Sequence, residues 1–162
     1  MTDREYGIAD PTLAMSMSGI EFLRAMQAGE LPRPPIGQRM PMELEEVLKG
    51  KIVLTALADD SFLNPAGIVH GGLALTALDT AMGLATLSML PAGKGYSSMD
   101  TAVRFLRPMR GGTEHQLTII GEVVSLGKTV ATVTGEMRND IGKLVATGTS
   151  SCAIFDHRSS PA

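Results

Sequence analysis

Residues 64–86 read NPAGIVHGGLALTALDTAMGLAT, and this stretch decides how the rest of the sequence is interpreted. Its opening asparagine, proline and glycine are typical of a loop. A continuous apolar run follows, with one carboxylate, Asp79, near its middle. The run predicts a helix over residues 72–90 that is closed by the proline and glycine after it. Because this helix is apolar all around, we expect it to be buried on most of its sides.

Six further segments are rich in β-branched or alternating residues and predict strands. Four follow the helix: GYSSMDTAVRFLRP, HQLTIIGEVVS, TVATVTGEMR and LVATGTSSCAIF. Glycines separate them at hairpin distances, so we expect four consecutive strands linked by hairpins. Two precede the helix in MELEEVLKGKIVLTALAD, although its Glu-rich first half could also form a helical turn. Because the apolar face of an antiparallel sheet needs cover, we predict an α+β fold in which a curved antiparallel sheet wraps around one long central helix.

The first 38 residues stand apart from this pattern. Residues 1–17 show no period and predict a loosely held arm. The following GIEFLRAMQAGELPRPP carries apolar residues at helical spacing and predicts a short helix. We therefore divide the chain into an arm with a short helix (residues 1–38), a single folded domain (39–156) and a C-terminal tail (157–162).

The composition indicates a globular domain. The chain has 162 residues, of which 44% are hydrophobic and 19% charged, enough to bury a core. The net charge of −3, with no basic stripe, argues against nucleic acid as a partner. No apolar run approaches the roughly 20 residues of a membrane helix, and the polar N-terminus does not resemble a signal peptide. With a single cysteine, Cys152, no disulfide forms within the chain, so we expect a cytoplasmic location and no membrane association.

Asp79 is the residue that the pattern of the helix does not account for. A buried, unpaired carboxylate is costly. Asp79 therefore either faces a solvated edge and bonds Thr76 or Thr80 within the helix, or faces a cavity and takes part in chemistry. Composition alone leaves both interpretations open.

The loop before the helix favours the second interpretation. Gly71 and Gly72 follow His70 where the helix begins, so backbone N–H groups and the positive end of the helix dipole are presented there. Glycine lets another molecule approach the backbone closely, and such a helix N-terminus can stabilise an oxyanion. Taken singly, the glycines could simply start a helix, His70 could be a packed histidine and Asn64 a turn residue.

Other chemistries find little support in the sequence. The three histidines have no metal-ligand spacing with one another or with Cys152. PAGKGYSS lacks the first glycine of a phosphate loop, and no GxSxG serine motif is present. The arginines of RFLRPMR form either a solvated strand end or a site for a phosphorylated ligand; they are Arg104, Arg107 and Arg110.

Together, these motifs resemble a known family. NPAGIVHGG, then Asp79 nine positions after His70, then YSSMD and RFLRP, are similar to the hotdog-fold acyl-CoA thioesterases of the phenylacetate-degradation (PaaI-type) group. The similarity runs from about residue 40 to Phe155. It implies a hotdog fold for residues 39–156, a homodimer as the minimal active unit that assembles into a homotetramer, and hydrolysis of an acyl-CoA substrate without metal or organic cofactor.

The resemblance also implies a role for each motif residue. Asp79 matches the catalytic carboxylate, and Gly71 matches the backbone donor to the thioester oxygen. Asn64 matches the side chain that polarises the carbonyl or holds water, Ser98 the residue that orients the carboxylate or its water, and His70 a supporting histidine. A further set is expected to bind substrate, with the basic members holding the CoA phosphates: Gly72, Arg104, Arg107, Arg110 and Lys128.

Helix geometry adds a constraint on the assembly. Gly71 and Asp79 are eight residues apart, which is about 12 Å along a helix and roughly 80° around it. A thioester must lie about 3 Å from its oxyanion donor and about 3–3.5 Å from its base or nucleophile. One helix cannot satisfy both distances, so we expect Gly71 of one copy to face Asp79 of another across a two-fold dimer.

The sequence leaves three matters open. Asp79 could attack the carbonyl or activate water, and the acyl group could be aromatic, short or of medium length. A protein of the same fold could also bind or sense acyl-CoA without hydrolysing it, although a pure binder needs no carboxylate at this position.

Overall fold

The computed structural model describes residues 5–156 of the chain. Within that range the helices are α1 (Pro11–Ser16), α2 (Gly19–Ala28) and α3 (Gly71–Leu87). The strands are β1 (Met42–Leu48), β2 (Lys51–Ala58), β3 (Lys94–Phe105), β4 (His115–Leu126), β5 (Val130–Arg138) and β6 (Leu144–Asp156). Short 3₁₀ turns occupy Pro35–Gln38 and Asp60–Phe62. The predicted tail, residues 157–162, lies outside the described residues.

The strands form one antiparallel sheet in the order β1-β2-β4-β5-β6-β3. Helix α3 packs against β2 to β6. The helix lies close to the sheet at Gly121 of β4, where an added Cβ would lie 2.3 Å from the carbonyl oxygen of Ala81. The predicted α+β architecture, a curved antiparallel sheet around one long helix, is confirmed.

The connection from β3 to β4 corrects the prediction of four consecutive hairpins. β3 pairs with β6 rather than β4, so residues 106–114 carry the chain from the edge of the sheet back to its interior. The loop before α3 anchors this connection, because Val69 N–H donates to the Met109 carbonyl and Gly111 N–H to the Gly67 carbonyl. The glycines at 111 and 112 therefore belong to a crossover that lies against the start of α3.

The N-terminal arm is more ordered than the sequence suggested. Residues 1–17 were expected to form a loose arm, but α1 begins after Asp10, whose carboxylate accepts from the N–H groups of Thr12 and Leu13. Six residues are too few to show a helical period, so only this cap and the proline after it signalled the helix. The short helix is confirmed as α2, and the Glu-rich segment is the strand β1, not a helical turn.

Helix α3 is less enclosed than predicted. It runs over Gly71–Leu87 rather than 72–90, and nine of its seventeen residues are buried. The buried residues pack on the sheet, whereas Leu75, Thr76 and Asp79 remain partly or fully accessible. This accessible strip gives α3 a face that the chain itself does not cover.

Candidate active site

The start of α3 leaves one backbone donor without a partner. His70 is the N-cap: its ring Nδ1 accepts from Gly72 N–H at 2.9 Å, and its carbonyl accepts from Leu73 N–H at 3.1 Å. The Gly71 N–H has no hydrogen-bond partner among residues 5–156. The two neighbouring donors are therefore engaged, and the Gly71 N–H is the donor in this turn that could bind a ligand. This gives the predicted supporting histidine a concrete function, and it leaves the N–H of Gly72 unavailable for substrate.

Asn64 shapes the loop that leads to this helix. Its Oδ1 accepts from Ala66 N–H at 2.9 Å and from Ile68 N–H at 3.3 Å. Its backbone N–H donates to the Ile68 carbonyl at 2.8 Å. The side-chain oxygen is thus used to hold the turn, which leaves the Nδ2 amide as the part of Asn64 that could reach a ligand.

Asn64, His70 and Gly71 line one cleft of about 400 Å³. Phe105 also lines the cleft and lies against Gly71, where an added Cβ would be 2.8 Å from Phe105 Cζ. Arg107 also borders the cleft and donates from Nη1 to the Leu144 carbonyl at 2.5 Å. Three of the predicted catalytic residues are thus brought together, and Asp79 does not line this cleft.

Asp79 lies further along α3, half-buried, and its hydrogen-bond partner is on β3. Thr101 Oγ1 donates to Asp79 Oδ1 at 2.7 Å. The sequence assigned this orienting role to Ser98, but Ser98 makes no hydrogen bond to Asp79. A β-bulge between Ser98 and Asp100 explains the change, since it places both Ser98 and Thr101 on the half-buried face of the strand. Strict alternation would have put Thr101 on the opposite face, so the sequence pattern hid it.

A second residue that the sequence did not single out, Tyr96, lies on the same side of α3. Its phenol packs on Gly83, one turn after Asp79, where an added Cβ would be 2.5 Å from the Tyr96 hydroxyl oxygen. Burial raises the pKa of the Tyr96 phenol, and the negative charge of Asp79 acts in the same direction. The hydroxyl therefore stays protonated at neutral pH and is no candidate for a general base. The Gly83–Tyr96 pair gave no sequence signal because the two residues lie on different elements.

The predicted CoA-binding residues do not all lie together. Arg104, Arg107 and Arg110 lie where β3 ends, near the start of α3. Lys128 lies in the β4–β5 turn at the other end of the sheet. β4 spans twelve residues between these ends, about 40 Å at a strand rise of about 3.4 Å per residue. Lys128 could join the arginines only from another copy of the chain.

The described residues contain neither a metal-binding cluster nor a membrane-spanning helix. Between residues 5 and 156, no cluster of three or more histidine, cysteine or acidic side chains is placed to hold a metal ion. No helix in the same range has the length and apolar character needed to cross a bilayer.

Comparison with known proteins identifies the family. Residues 66–146, which include the cleft loop and α3, match the family model of the Thioesterase superfamily. This chain belongs to that superfamily. It is 31% identical to a putative thioesterase, a phenylacetic acid degradation-related protein from Ralstonia eutropha, with a TM-score of 0.74 and coverage of 82% of this chain and 98% of that one. The predicted PaaI-type hotdog fold and the assignment to thioester hydrolases are confirmed.

Two further relatives are named for a coenzyme A substrate or were crystallised with coenzyme A. Human acyl-coenzyme A thioesterase 13 is 26% identical, covering 83% of this chain and 93% of the relative. A hypothetical thioesterase from Streptococcus pneumoniae, crystallised with coenzyme A, is 28% identical with a TM-score of 0.65, covering 73% of this chain and 88% of that chain.

Proposed function

We propose that this thioesterase hydrolyses an acyl-CoA thioester to a free acid and CoA, in the cytoplasm, at a site shared by two copies of the chain. The relatives named for acyl-CoA hydrolysis and crystallised with coenzyme A support the substrate class. The observation that carries the proposal is the unpartnered Gly71 N–H, set about 12 Å along the helix from the accessible carboxylate Asp79.

The first half of the proposed site is the Gly71 cleft. The thioester carbonyl oxygen accepts from the Gly71 N–H, and this bond strengthens as negative charge develops on the oxygen in the tetrahedral intermediate. Because His70 already engages the next N–H, the donor at Gly71 is held in a fixed direction. We assign the Nδ2 amide of Asn64, which lines the same cleft, to polarise the carbonyl or hold water.

The second half is Asp79 with Thr101. The threonine hydroxyl occupies Oδ1 and fixes the carboxylate, which leaves Oδ2 for the reaction. As a general base, Asp79 takes a proton from water while the water oxygen bonds to the thioester carbon; the C–S bond then breaks and the CoA thiolate takes up a proton. As a nucleophile, Asp79 forms a mixed anhydride as CoA leaves, and water then cleaves the anhydride. Both routes use the same two half-sites.

The two half-sites must come from different copies. Gly71 and Asp79 lie on one straight helix, and the Gly71 cleft does not include Asp79. The accessible strip of α3 around Leu75, Thr76 and Asp79 is the face that a second copy would cover. A two-fold dimer joins each Gly71 to the Asp79 of the other copy and so builds two sites. We extend the proposal to a homotetramer made of two such dimers.

The CoA end of the substrate is assigned to the arginines beside the cleft. Arg107 borders the cleft directly, and Arg104 and Arg110 are exposed near it. Guanidinium groups bind phosphate well, and exposed ones keep their side chains free to do so.

A thiol-release assay across a panel of acyl-CoA thioesters tests the proposed function. We expect turnover of at least one class among aromatic, short-chain and medium-chain substrates, and loss of that turnover in Asp79→Asn. Tight binding of acyl-CoA with no thiol release by the unaltered protein would instead support the alternative, a protein that binds or senses acyl-CoA.

A further inference from the structure

Tyr96 closes one end of the surface next to Asp79. Residues four apart on a helix lie on the same face, so Gly83 follows Asp79 by one turn, about 6 Å. The Tyr96 ring rests on Gly83, with its Cε2, Cζ and hydroxyl oxygen all within 3 Å of where a Cβ would be. Only glycine at this position lets the ring lie so close to the helix.

Behind Tyr96 lies an apolar cavity of about 250 Å³. Its walls come from α1, α2 and the segment between them, together with the end of α3 and the start of β3, where Lys94 borders it. Its lining includes Ala14, Met15, Met17, Phe22, Leu87 and Tyr96 itself. Tyr96 therefore contacts both the Asp79 face of α3 and this cavity.

The N-terminal helices are held firmly enough to form a wall. Gly19 packs on the end of α3 so closely that an added Cβ would lie 1.8 Å from the Leu87 carbonyl oxygen. Gly19 N–H donates to the Leu90 carbonyl, and Gly93 N–H donates to the Met15 carbonyl, both at 3.0 Å. The arm is thus fixed to both sides of the turn that follows α3.

We propose that Tyr96 determines the acyl-chain length that this thioesterase accepts, by separating the carboxylate of Asp79 from the apolar cavity under the N-terminal helices. The inference rests on the proposed function and specifies where the acyl chain of the substrate lies. In the shared site the thioester lies between the Gly71 cleft of one copy and Asp79 of the other. The CoA moiety follows the arginines of the first copy, and the acyl chain runs over the second copy, past Asp79 toward Tyr96. The substrates of the unaltered enzyme are then acyl groups short enough to end at the ring, and the cavity receives a longer straight chain only when the ring is removed.

The test is a set of kcat/KM values for saturated straight-chain acyl-CoA thioesters of increasing length. Tyr96→Ala should raise the ratio of long-chain to short-chain kcat/KM by at least about tenfold, since a single methylene in an apolar pocket changes discrimination by 10-fold or more. Tyr96→Phe retains the ring and should keep the wild-type length preference. Adding Ala14→Phe to Tyr96→Ala refills the cavity and should remove the gain for long chains.

Tyr6 provides the matched control, because it lines a different apolar pocket, formed by the arm, α2, β1 and β2 together with Thr80 and Leu84 of α3. Tyr6→Ala removes the same side chain and should leave the length preference unchanged. Should Tyr96→Ala fail to fold, Tyr96→Leu shortens the side chain while keeping an apolar contact with α3, and the same shift is expected.

The outcomes separate this inference from the proposed function. An active wild-type enzyme whose length preference is the same in the folded Tyr96 variants overturns the inference alone. A shift produced by Tyr6→Ala and not by Tyr96→Ala also overturns it, since the acyl chain would then enter the other pocket. No thiol release by the wild-type protein from any substrate removes the proposed function and this inference with it.

Discussion

The start and the middle of α3 offer two different kinds of chemistry on one helix. At the start, the proposed functional group is a backbone N–H, and the side chain of His70 engages the neighbouring N–H. In the middle, the proposed functional group is a side chain, Asp79, and a neighbouring strand supplies the hydroxyl that donates to it. In the proposed mechanism, each region supplies half of what thioester hydrolysis needs. We therefore expect substitution of Asp79 to lower activity strongly, and substitution of the residues that support either half to have smaller effects.

The largest effect is expected at Asp79 itself. Asp79→Asn keeps the volume and removes the base or nucleophile, so kcat should fall about 10²–10⁴-fold, while KM and thermal stability stay near wild type. Steady-state thiol release measures kcat and KM, and a melting curve measures thermal stability. A variant that retains more than half of the wild-type kcat would contradict the assignment of Asp79.

Thr101 should show a smaller effect, confined to the middle of the helix. Thr101→Val keeps the shape of the side chain and removes the hydroxyl that donates to Asp79. We expect kcat to fall about tenfold with little change in KM, because that factor corresponds to the free energy of one hydrogen bond to a charged group. Thr101→Ser restores the donor and should recover most of the activity.

Ser98→Ala is the matched comparison, because Ser98 lies on the same face of β3 without bonding Asp79. If Ser98→Ala lowers kcat more than Thr101→Val does, the orienting residue is Ser98, as the family resemblance implied, and the assignment of Thr101 is wrong.

At the start of the helix, the expected effect of His70 is chiefly on stability. His70→Ala removes the acceptor for Gly72 N–H and should lower the free energy of unfolding by about 1 kcal/mol, the usual value of an N-cap. His70→Asn supplies another capping acceptor and should recover most of that loss in a denaturation experiment. Equal destabilisation by both variants would show that the cap is not what His70 contributes.

The basic residues should have the smallest effects, and these should be visible in KM. Single alanine variants of Arg104, Arg107 and Arg110 should raise KM for acyl-CoA by a few-fold at low salt, since each exposed charge contributes about 0.2–1 kcal/mol. kcat should change little, because the interaction is equal in the ground and transition states. Wild-type KM in all three variants, with a raised KM in Lys128→Ala, would move the phosphates to the other end of the sheet.

The sequence was sufficient for the elements whose signals are local. The apolar run of α3, the alternating strands and the spacing from Asn64 to Asp79 led to the fold and to the candidate site. The features that the sequence did not predict depend on contacts between segments that are distant along the chain. The partner of β3 is β6, which no turn signal encodes, and the bulge after Ser98 brings Thr101 to Asp79 by a shift of one residue. Tyr96 on Gly83 and the docking of α1 and α2 are likewise contacts between elements.

The assembly of the site from two copies can be tested by mixing two lesions. One chain carries Asp79→Asn and the other Gly71→Val, whose added side chain would block approach of the thioester to the Gly71 N–H. Within its own chain, the three atoms nearest to an added Cβ at Gly71 all belong to Phe105, whose side chain is 57% exposed. Sedimentation should confirm that each variant still dimerises.

Co-expression of the two single variants, set against co-expression of wild type with the double variant, is the most direct measurement of the shared site. In the first mixture, half of the dimers contain one chain of each variant, and each of these dimers has one intact shared site. About a quarter of wild-type activity should therefore appear, whereas sites within one chain would give none. In the second mixture, shared sites leave only the wild-type dimers active, again about a quarter, whereas sites within one chain would give about half. A quarter in both mixtures is the predicted result, and no activity in the first with half in the second would contradict the shared site.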